Sequence, residues 1–483
     1  MRRRVIVFAA LSGSVAVGLL ACGSSGTGGP TASNEAGADG AMSDATAPDG
    51  GASEASMGEA PLGEAAVGEA SVGEASVNEA SVGDGNIADS AVESTVQEGA
   101  APSRLLLSFN SYAGAMPCEL AAFDLASQSV AGRLDYTGFG TTYVGSTAPW
   151  LLEQAVDIVA RLDDARPWVI DSSWNVAQAV PDASDSYADP QAVIVAAGTK
   201  AYVLPYNRNA ISVIDTSSGL EGGVPTKTID LSALVQAGGD GTLEMTAGAY
   251  VPGKNRVYVL LGNIDQNAYN GSDNLGCAGS ATPTVIAIDT TTDTLVGVDG
   301  GAGTSGVPLP GRNPPFGQGA MAYDAVADRL LVLQSGCVSV AGDGGSGPVV
   351  GAEVDQLSLA TGGATVLLDL TGKALPAQLV YMDAQNALVQ LGAEAPFTTY
   401  TWNPTTTALG SAIPNAPDSF AWDGAGNLLG VAAVVDSDSG ATTGYDVVSV
   451  KISDGTLTKL ASNPFSIAVG NGSVSGVQLW PAL

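Results

Sequence analysis

Beyond residue 102 the apolar positions fall in short runs, each closed by Gly, Asn, Asp, Ser or Thr, and the runs recur in sets of four. One set reads QAVIVAAGT (191–199), KAYVLPYN (200–207), ISVIDTSSG (211–219) and TKTIDLSAL (226–234). The pieces alternate polar with apolar or are apolar throughout. No long stripe repeats every 3.6 residues, so strands are predicted rather than helices. The set returns over 245–298, 317–370, 376–407 and 418–460, and more weakly over 148–174. It also appears over 104–136, with one strand missing from its start. A unit repeated at this spacing predicts an antiparallel, repetitive all-β domain over 103–483. Runs that are apolar on both faces imply that neighbouring units cover each small sheet from both sides.

Two sets carry a finer pattern. Ala201-Tyr202-Val203 is followed by Ile211-Ser212-Val213-Ile214-Asp215, and Val257-Tyr258-Val259 by Ile286-Ala287-Ile288-Asp289. This region resembles the YVTN-type, WD40-like bacterial β-propellers, whose blades carry such a strand pair. The resemblance implies four-stranded blades around a channel, with innermost strands starting near 148, 190, 245, 317, 376 and 418. SGVQLWP (475–481) looks like a seventh innermost strand. It would complete the unit at 104–136, join the chain ends and leave no open sheet edge. Seven blades average about 54 residues each, a little long for the fold, so the excess belongs to loops; six or eight blades are left open. Asp215 and Asp289 are expected to cap the turn after the third strand by accepting backbone N–H bonds.

In such a meander, two kinds of connection share one face: those from second to third strand, and those from fourth strand to the next blade. The long ones all fall there, at 263–282, 336–350 and 300–317. Loops of that length are often functional, so Tyr269, Asn270, Asp273, Arg312 and Asp343 are the candidate ligand-face residues. Cys277 and Cys337 sit in two neighbouring loops of this kind and are expected to form a disulfide. Cys118 occupies the same loop of the first unit, across the ring, and is the odd thiol. Tyr250, Tyr323, Tyr381, Trp422 and Trp480 recur near the end of the innermost strand. Packing between blades accounts for that recurrence more simply than stacking on a ligand.

The first hundred residues are of another kind. Arg2, Arg3 and Arg4 precede an uncharged apolar run over 5–18. It is shorter than the roughly 20 apolar residues that a bilayer span needs, and reads as a secretory signal peptide. Leu19-Leu20-Ala21-Cys22 resembles the lipobox of bacterial lipoproteins. The resemblance implies cleavage after residue 21, a diacylglyceryl group on Cys22 and attachment to a membrane through that lipid. By the same family's sorting rule Gly23 favours the outer membrane, with the domain periplasmic or surface-exposed. Arg3-Arg4 leaves a twin-arginine export route open. Residues 22–102 hold fourteen acidic residues and no Lys, Arg or aromatic, the composition of a disordered linker. Within it a five-residue repeat runs from ASMGE to ASVGD over 55–84. The repeat superficially resembles pentapeptide-repeat solenoids, but its centres are mostly Val and its acids would stack like charges. As a random coil the linker spans roughly 45–55 Å. The chain is thus expected to divide into 1–21, 22–102 and 103–483.

Charge and composition narrow the function. The chain holds 49 acidic and 17 basic residues, a net charge of −32, and the part after 102 is still at −21. Nucleic acid and anionic lipid are poor partners for such a surface. Histidine is absent, which excludes Ser-His-Asp and Cys-His nucleophile systems and the usual His-containing zinc, copper and haem sites. Asp436-Ser-Asp438-Ser-Gly440 opens like a calcium loop but has no acid at the twelfth position. No cofactor is expected, calcium being the one metal the composition leaves open. The reading is a monomeric, membrane-anchored, extracytoplasmic propeller that binds a protein, glycan or envelope component without catalysis. The alternative is a lactonase- or lyase-like propeller enzyme that works through carboxylates and a divalent metal.

Overall fold

The computed structural model describes residues 103–481 apart from short segments, of which 178–186, 265–276 and 341–345 are the longest. The expected signal peptide, the lipobox-like stretch ending at Cys22 and the acidic repeats lie outside the described residues.

Seven four-stranded antiparallel sheets follow one another around a channel, each a meander from an inner strand A to an outer strand D. In blade order the A strands are Gly140–Val144, Pro190–Val195, Met245–Val251, Met321–Asp324, Pro376–Asp383, Ser419–Trp422 and Gly472–Trp480. Strand B of each blade, and strand C of blades 2 and 3 most clearly, is largely apolar on both faces. In blade 3, strand B (Arg256–Leu261) is buried from Val257 onward and strand C (Thr284–Asp289) is buried up to its last residue. Strand D of blade 7, Ser129–Tyr136, instead alternates between exposed and half-buried positions until its buried last residue, as an outer strand should. The apolar core is therefore a set of seams between blades. Tyr258 and Val285 of blade 3 meet Leu330 and Val332 of blade 4 in one seam. Leu331 and Val354 of blade 4 meet Leu379 and Val389 of blade 5 in the next.

Blade 7 is built from both ends of the domain. Gly472–Trp480 pairs antiparallel with Arg104–Ser111, from Arg104 opposite Trp480 to Ser111 opposite Gly472, and Cys118–Asp124 and Ser129–Tyr136 complete the sheet. Both the seven-blade count and the closure agree with the sequence reading. Blade 1 does not begin where the apolar pattern places it. PWLLE (Pro149–Glu153), expected to be the innermost strand, is strand B, and strand A is the preceding GTTYV. That strand docks on blade 7 largely through hydroxyls. Thr141 Oγ1 donates to Ser475 O at 3.0 Å, Ser475 Oγ donates to Gly140 O at 2.6 Å, and Thr142 N–H donates to Ser108 Oγ at 3.3 Å. Gly476 permits this approach, since a Cβ there would lie 2.7 Å from both Ser108 Oγ and Thr141 Oγ1.

Carboxylates cap exposed backbone at both ends of the blades, as at Asp230 and Asp369 where strand D leaves for the next blade, and a second, deeper set lies at one end. At the A–B and C–D turns they cap exposed backbone. Asp215 accepts the Ser217 N–H at 2.9 Å, and Asp289 accepts those of Thr291 and Thr292 at 2.8 and 3.0 Å, as expected from their motifs. Asp383 does the same for Gln385 and Asn386. These hydrogen bonds favour the charged form and hold all three carboxyls below their usual range. At the opposite end, more deeply placed carboxylates stitch B–C loops to D–A connections. Asp157 accepts N–H groups from Ala188 and Asp189 at 2.5 and 3.3 Å, Glu153 that of Thr137 at 3.2 Å, and Asp418 that of Phe397 at 3.0 Å. Glu244 accepts the Ile264 N–H at 2.7 Å. Burial disfavours their charge and raises all four, Glu244 well above the ordinary range.

A carboxyl raised in the folded chain contributes most to stability below its unfolded pKa, and the contribution fades as pH climbs through the folded value. The lowered turn carboxyls lose their contribution as pH falls through their folded values. The melting temperature is therefore expected to decline as pH is raised from about 5 to about 8, and to decline again below about pH 3. Calorimetry at constant ionic strength checks this, and a profile that is flat between the two upper values would contradict it. Removal of residues 472–483 strips the partner from Arg104–Ser111 and opens the ring. The truncated chain is expected to lose its single cooperative thermal transition; an unchanged midpoint would show that closure is dispensable.

Candidate functional site

The longest connections on the loop face belong to blades 3 and 4, and a covalent bond ties them. Cys277 and Cys337 form a disulfide with Cα atoms 5.1 Å apart, as the loop placement suggested. Cys277 lies in the B–C connection of blade 3. Cys337 opens a two-stranded hairpin, Cys337–Val340 with Ser346–Val350, inside the B–C connection of blade 4 that was expected to be plain loop. Cys118 stands outside the bridge as the first residue of strand C in blade 7, and is fully buried.

The D–A connection between the two blades runs alongside this hairpin. Val307–Pro308 folds back and pairs with the start of strand C of blade 3. Arg312 then donates its N–H to Gly351 O at 3.1 Å and accepts the Gly336 N–H at 2.8 Å, so its backbone is sewn to both ends of the hairpin. Its half-buried stem passes close to Gly351, where a Cβ would come within 3.2 Å of Cγ. Arg312 is thus where the sequence placed it, beside the bridged loops. Tyr269, Asn270, Asp273 and Asp343 lie outside the described residues.

Beneath Arg312 sits a group of polar side chains that the sequence reading overlooked. Strand C of blade 4, Glu353–Ser358, pairs with strand B, Arg329–Gln334, in a register that sets Gln334 opposite Glu353 and Val332 opposite Asp355. Strand periodicity places Gln334, Glu353 and Asp355 on the face of Leu330, Val332 and Leu357, which is the seam with blade 3. Gln334 and Asp355 are 0% exposed and Glu353 is 7% exposed. Gly311 of the D–A connection covers them and donates its N–H to Asp355 Oδ2 at 3.1 Å. Burial, together with the neighbouring carboxylate, raises Asp355, and burial chiefly raises Glu353. The signal was available in AEVDQ. At the matching positions blade 3 has Thr284 and Ile286, and two acids spaced by two on a strand buried on both faces are anomalous.

The channel holds a second feature, a cavity of about 280 Å³ whose lining includes Val144, Gln378, Tyr381, Phe420, Trp422 and Gln478. Of the five recurring aromatics, Tyr250, Tyr323 and Tyr381 pack against blade seams. Tyr381 also donates its hydroxyl to Asp324 Oδ1 at 2.8 Å, and the Trp480 indole donates to Asp164 O at 2.8 Å. Tyr381 and Trp422 border the cavity, so the set is mainly seam packing with two rings turned toward open space. Asp436 uses Oδ1 to accept the N–H groups of Asp438 and Ser439 at 3.1 and 2.8 Å, a turn cap rather than a cation loop. Among the described residues no three His, Cys, Asp or Glu side chains gather as a metal site would require.

No family model matches the chain, and no curated protein matches it. Solved structures of similar architecture include a candidate 6-phosphogluconolactonase from Bacteroides fragilis, 11% identical, covering 78% of this chain and 98% of that one at a TM-score of 0.47. Hydrazine synthase from Kuenenia stuttgartiensis is 14% identical over 77% of this chain and 98% of that one, with a TM-score of 0.44. AztD from Citrobacter koseri is 9% identical over 78% and 99%, with a TM-score of 0.40. Likenesses at this level carry no argument about activity.

The disulfide closes a loop across 60 residues of sequence. Loop-entropy reasoning gives such a cross-link about 4 kcal/mol, and disulfides typically deliver about 2–4 kcal/mol of stability. The double variant Cys277→Ser/Cys337→Ser is expected to keep its β circular dichroism and lose that amount in urea unfolding. A loss below about 0.5 kcal/mol would mean that the hairpin and Arg312 backbone bonds already hold the loops in place.

Proposed function

We propose that this chain is a lipid-anchored, extracytoplasmic binding module that presents a rigid propeller face to a protein or glycan of the cell envelope. The observation that carries the reading is the Cys277–Cys337 bridge, which joins the longest loops of two neighbouring blades on one face. Such a bond persists in oxidising compartments, in accord with export. Cross-linked loops also cost less to order when a partner binds, which favours recognition by a preformed surface. The lipobox-like Leu19-Leu20-Ala21-Cys22 and the acidic stretch after it support an anchor and a tether, with the outer membrane as the favoured destination. The channel cavity is lined by amides, aromatics and aliphatic groups, a surface suited to recognition.

Two measurements test this. Radiolabelled palmitate is expected to label the chain in cells, and Cys22→Ser to abolish the label and release the protein into the soluble fraction; labelling that survives the substitution would refute the anchor. A photo-cross-linking residue placed at position 312 is expected to trap a partner in intact cells. The same residue at position 326, an 81% exposed site on the A–B turn of blade 4, is expected to trap none. Equal yields from the two faces would refute the loop face as the binding surface.

A further inference from the structure

Glu353 and Asp355 lie side by side in a seam that is largely apolar, and among the described residues no Lys or Arg pairs with them. Elsewhere a buried acid finds donors or a cation, as Glu244 does from the Ile264 N–H and the Thr242 hydroxyl. Glu119, equally buried in blade 7, has Arg133 Nε at 3.2 Å and accepts the Ser466 N–H at 3.0 Å. Neither Glu353 nor Asp355 takes part in an ion pair among the described residues, and the charge acting on Glu353 from across the sheet is that of Asp369, another acid. Gly311 N–H serves Asp355 Oδ2, but Asp355 Oδ1 and Glu353 Oε1 are buried and accept no hydrogen bond. Gln334 adds an independent signal. It is wholly buried and stands opposite Glu353 and close to Asp355, yet neither its Oε1 nor its Nε2 completes a hydrogen bond. Fully buried amides left this way are rare in native proteins, and each calls for a missing partner.

We propose that Glu353, Asp355 and the side-chain carbonyl of Gln334 bind a hard divalent cation, calcium in the first place, in the seam between blades 3 and 4. Three oxygen donors with no nitrogen or sulfur select a hard cation over zinc or copper. Calcium accepts an irregular shell completed by waters and backbone carbonyls, whereas magnesium demands a tighter octahedron. One divalent charge between two carboxylates replaces their repulsion with attraction, one of the ways buried acids of like sign are accommodated. The glycine at 311 fits this role. A Cβ there would run into Gln334 Cγ and Glu353 Cγ, so only glycine lets the D–A backbone close over the site. The same segment continues into Arg312, whose backbone is bonded to the hairpin opened by Cys337. A bound cation would therefore tie the blade 3–blade 4 seam to the bridged loops above it.

The test uses the full chain purified in detergent, treated with EDTA and dialysed at pH 7.5. Calcium chloride titrated calorimetrically is expected to bind at one site per chain and to raise the melting temperature over the EDTA sample, with magnesium at least tenfold weaker. Gln334→Met removes the amide oxygen while keeping the volume, and is expected to weaken calcium at least tenfold with an unaltered β spectrum. Glu353→Gln/Asp355→Asn is expected to abolish the calcium response while still melting cooperatively in EDTA. The absence of calcium heat and of a melting shift in the parent chain would overturn the proposal. So would a calcium response that persists in the double variant, which would place the ion elsewhere. Stabilisation by acid alone, with no response to calcium, would overturn it too and leave a proton shared between the two carboxyls.

Discussion

The pairing of Gly472–Trp480 with Arg104–Ser111 is the constraint on which the other contacts rest. A blade here has two apolar faces and cannot bury either without a neighbour. Tyr258 and Val285 on one blade are covered only because Leu330 and Val332 stand on the next. An open row of such sheets would leave an apolar face bare at each end. Closing the ring removes both faces together, so the seams are stabilised jointly rather than one by one. The seams on either side of blade 7 show the dependence directly. Leu105 and Leu107 of its B strand pack with Leu429 and Val431 of blade 6, while Leu106 and Trp480 pack with Leu151 and Ala160 of blade 1. Without the C-terminal strand, one sheet would lose its inner edge and its place in both seams.

How much of this was legible in the sequence follows from which physical signals repeat. Strand B of each blade, and strand C of blades 2 and 3 most clearly, is largely apolar because both faces are covered, so the period survives in the sequence and the blade count and closure could be read from it. The innermost strand of blade 1 could not, because GTTYV meets Ser108, Ser475 and Gly476 through hydroxyls and close backbone approach. An apolar pattern is blind to such a contact. The capping role of Asp215 and Asp289 was legible because it is local, acting two or three residues along the chain. The disulfide was legible only through topology, since 60 residues separate Cys277 from Cys337 and only blade adjacency brings them together. The group around Gln334 was missed, although Glu353 and Asp355 are two residues apart on a strand whose counterparts are apolar or hydroxylic. It joins residues 311, 334 and 353–355, and that convergence requires the D–A connection to fold over the seam.

The two ends of the ring differ in how they treat negative charge, and this bears on where a partner would bind. At the A–B and C–D turns solvated carboxylates are busy with their own backbone, as at Asp383 and Asp215. Those two are held ionised by local N–H groups, while Asp324 and Asp293 at the same end pair with Arg329 and Lys200. At the loop end, Glu153, Asp157, Glu244 and Asp418 are partly or wholly withdrawn from water and each accepts N–H groups from a different segment of chain. Their chief effect is to fix the D–A connections against the B–C loops. Variation in loop length at this end is therefore tolerated without loosening the blades.

Rigidity at the loop end is graded, and the gradient is steepest at blades 3 and 4. There the connection is held by a covalent bridge, by backbone bonds from Arg312 to both ends of a hairpin, and by Gly311 over a buried acid pair. A loop needed only to join two strands gains nothing from three independent restraints, because short turns elsewhere in the same fold do that work with one aspartate. Restraint of this kind lowers the entropy lost on association, so its concentration at one sector distinguishes that sector from the rest of the rim. The channel offers the opposite case. Its cavity is bordered by side chains such as Tyr381 that already have partners in the seams, so its shape is largely set by the packing of the ring. Binding energy could be concentrated at either place, but among the described residues the bridged sector is where long connections meet several independent restraints.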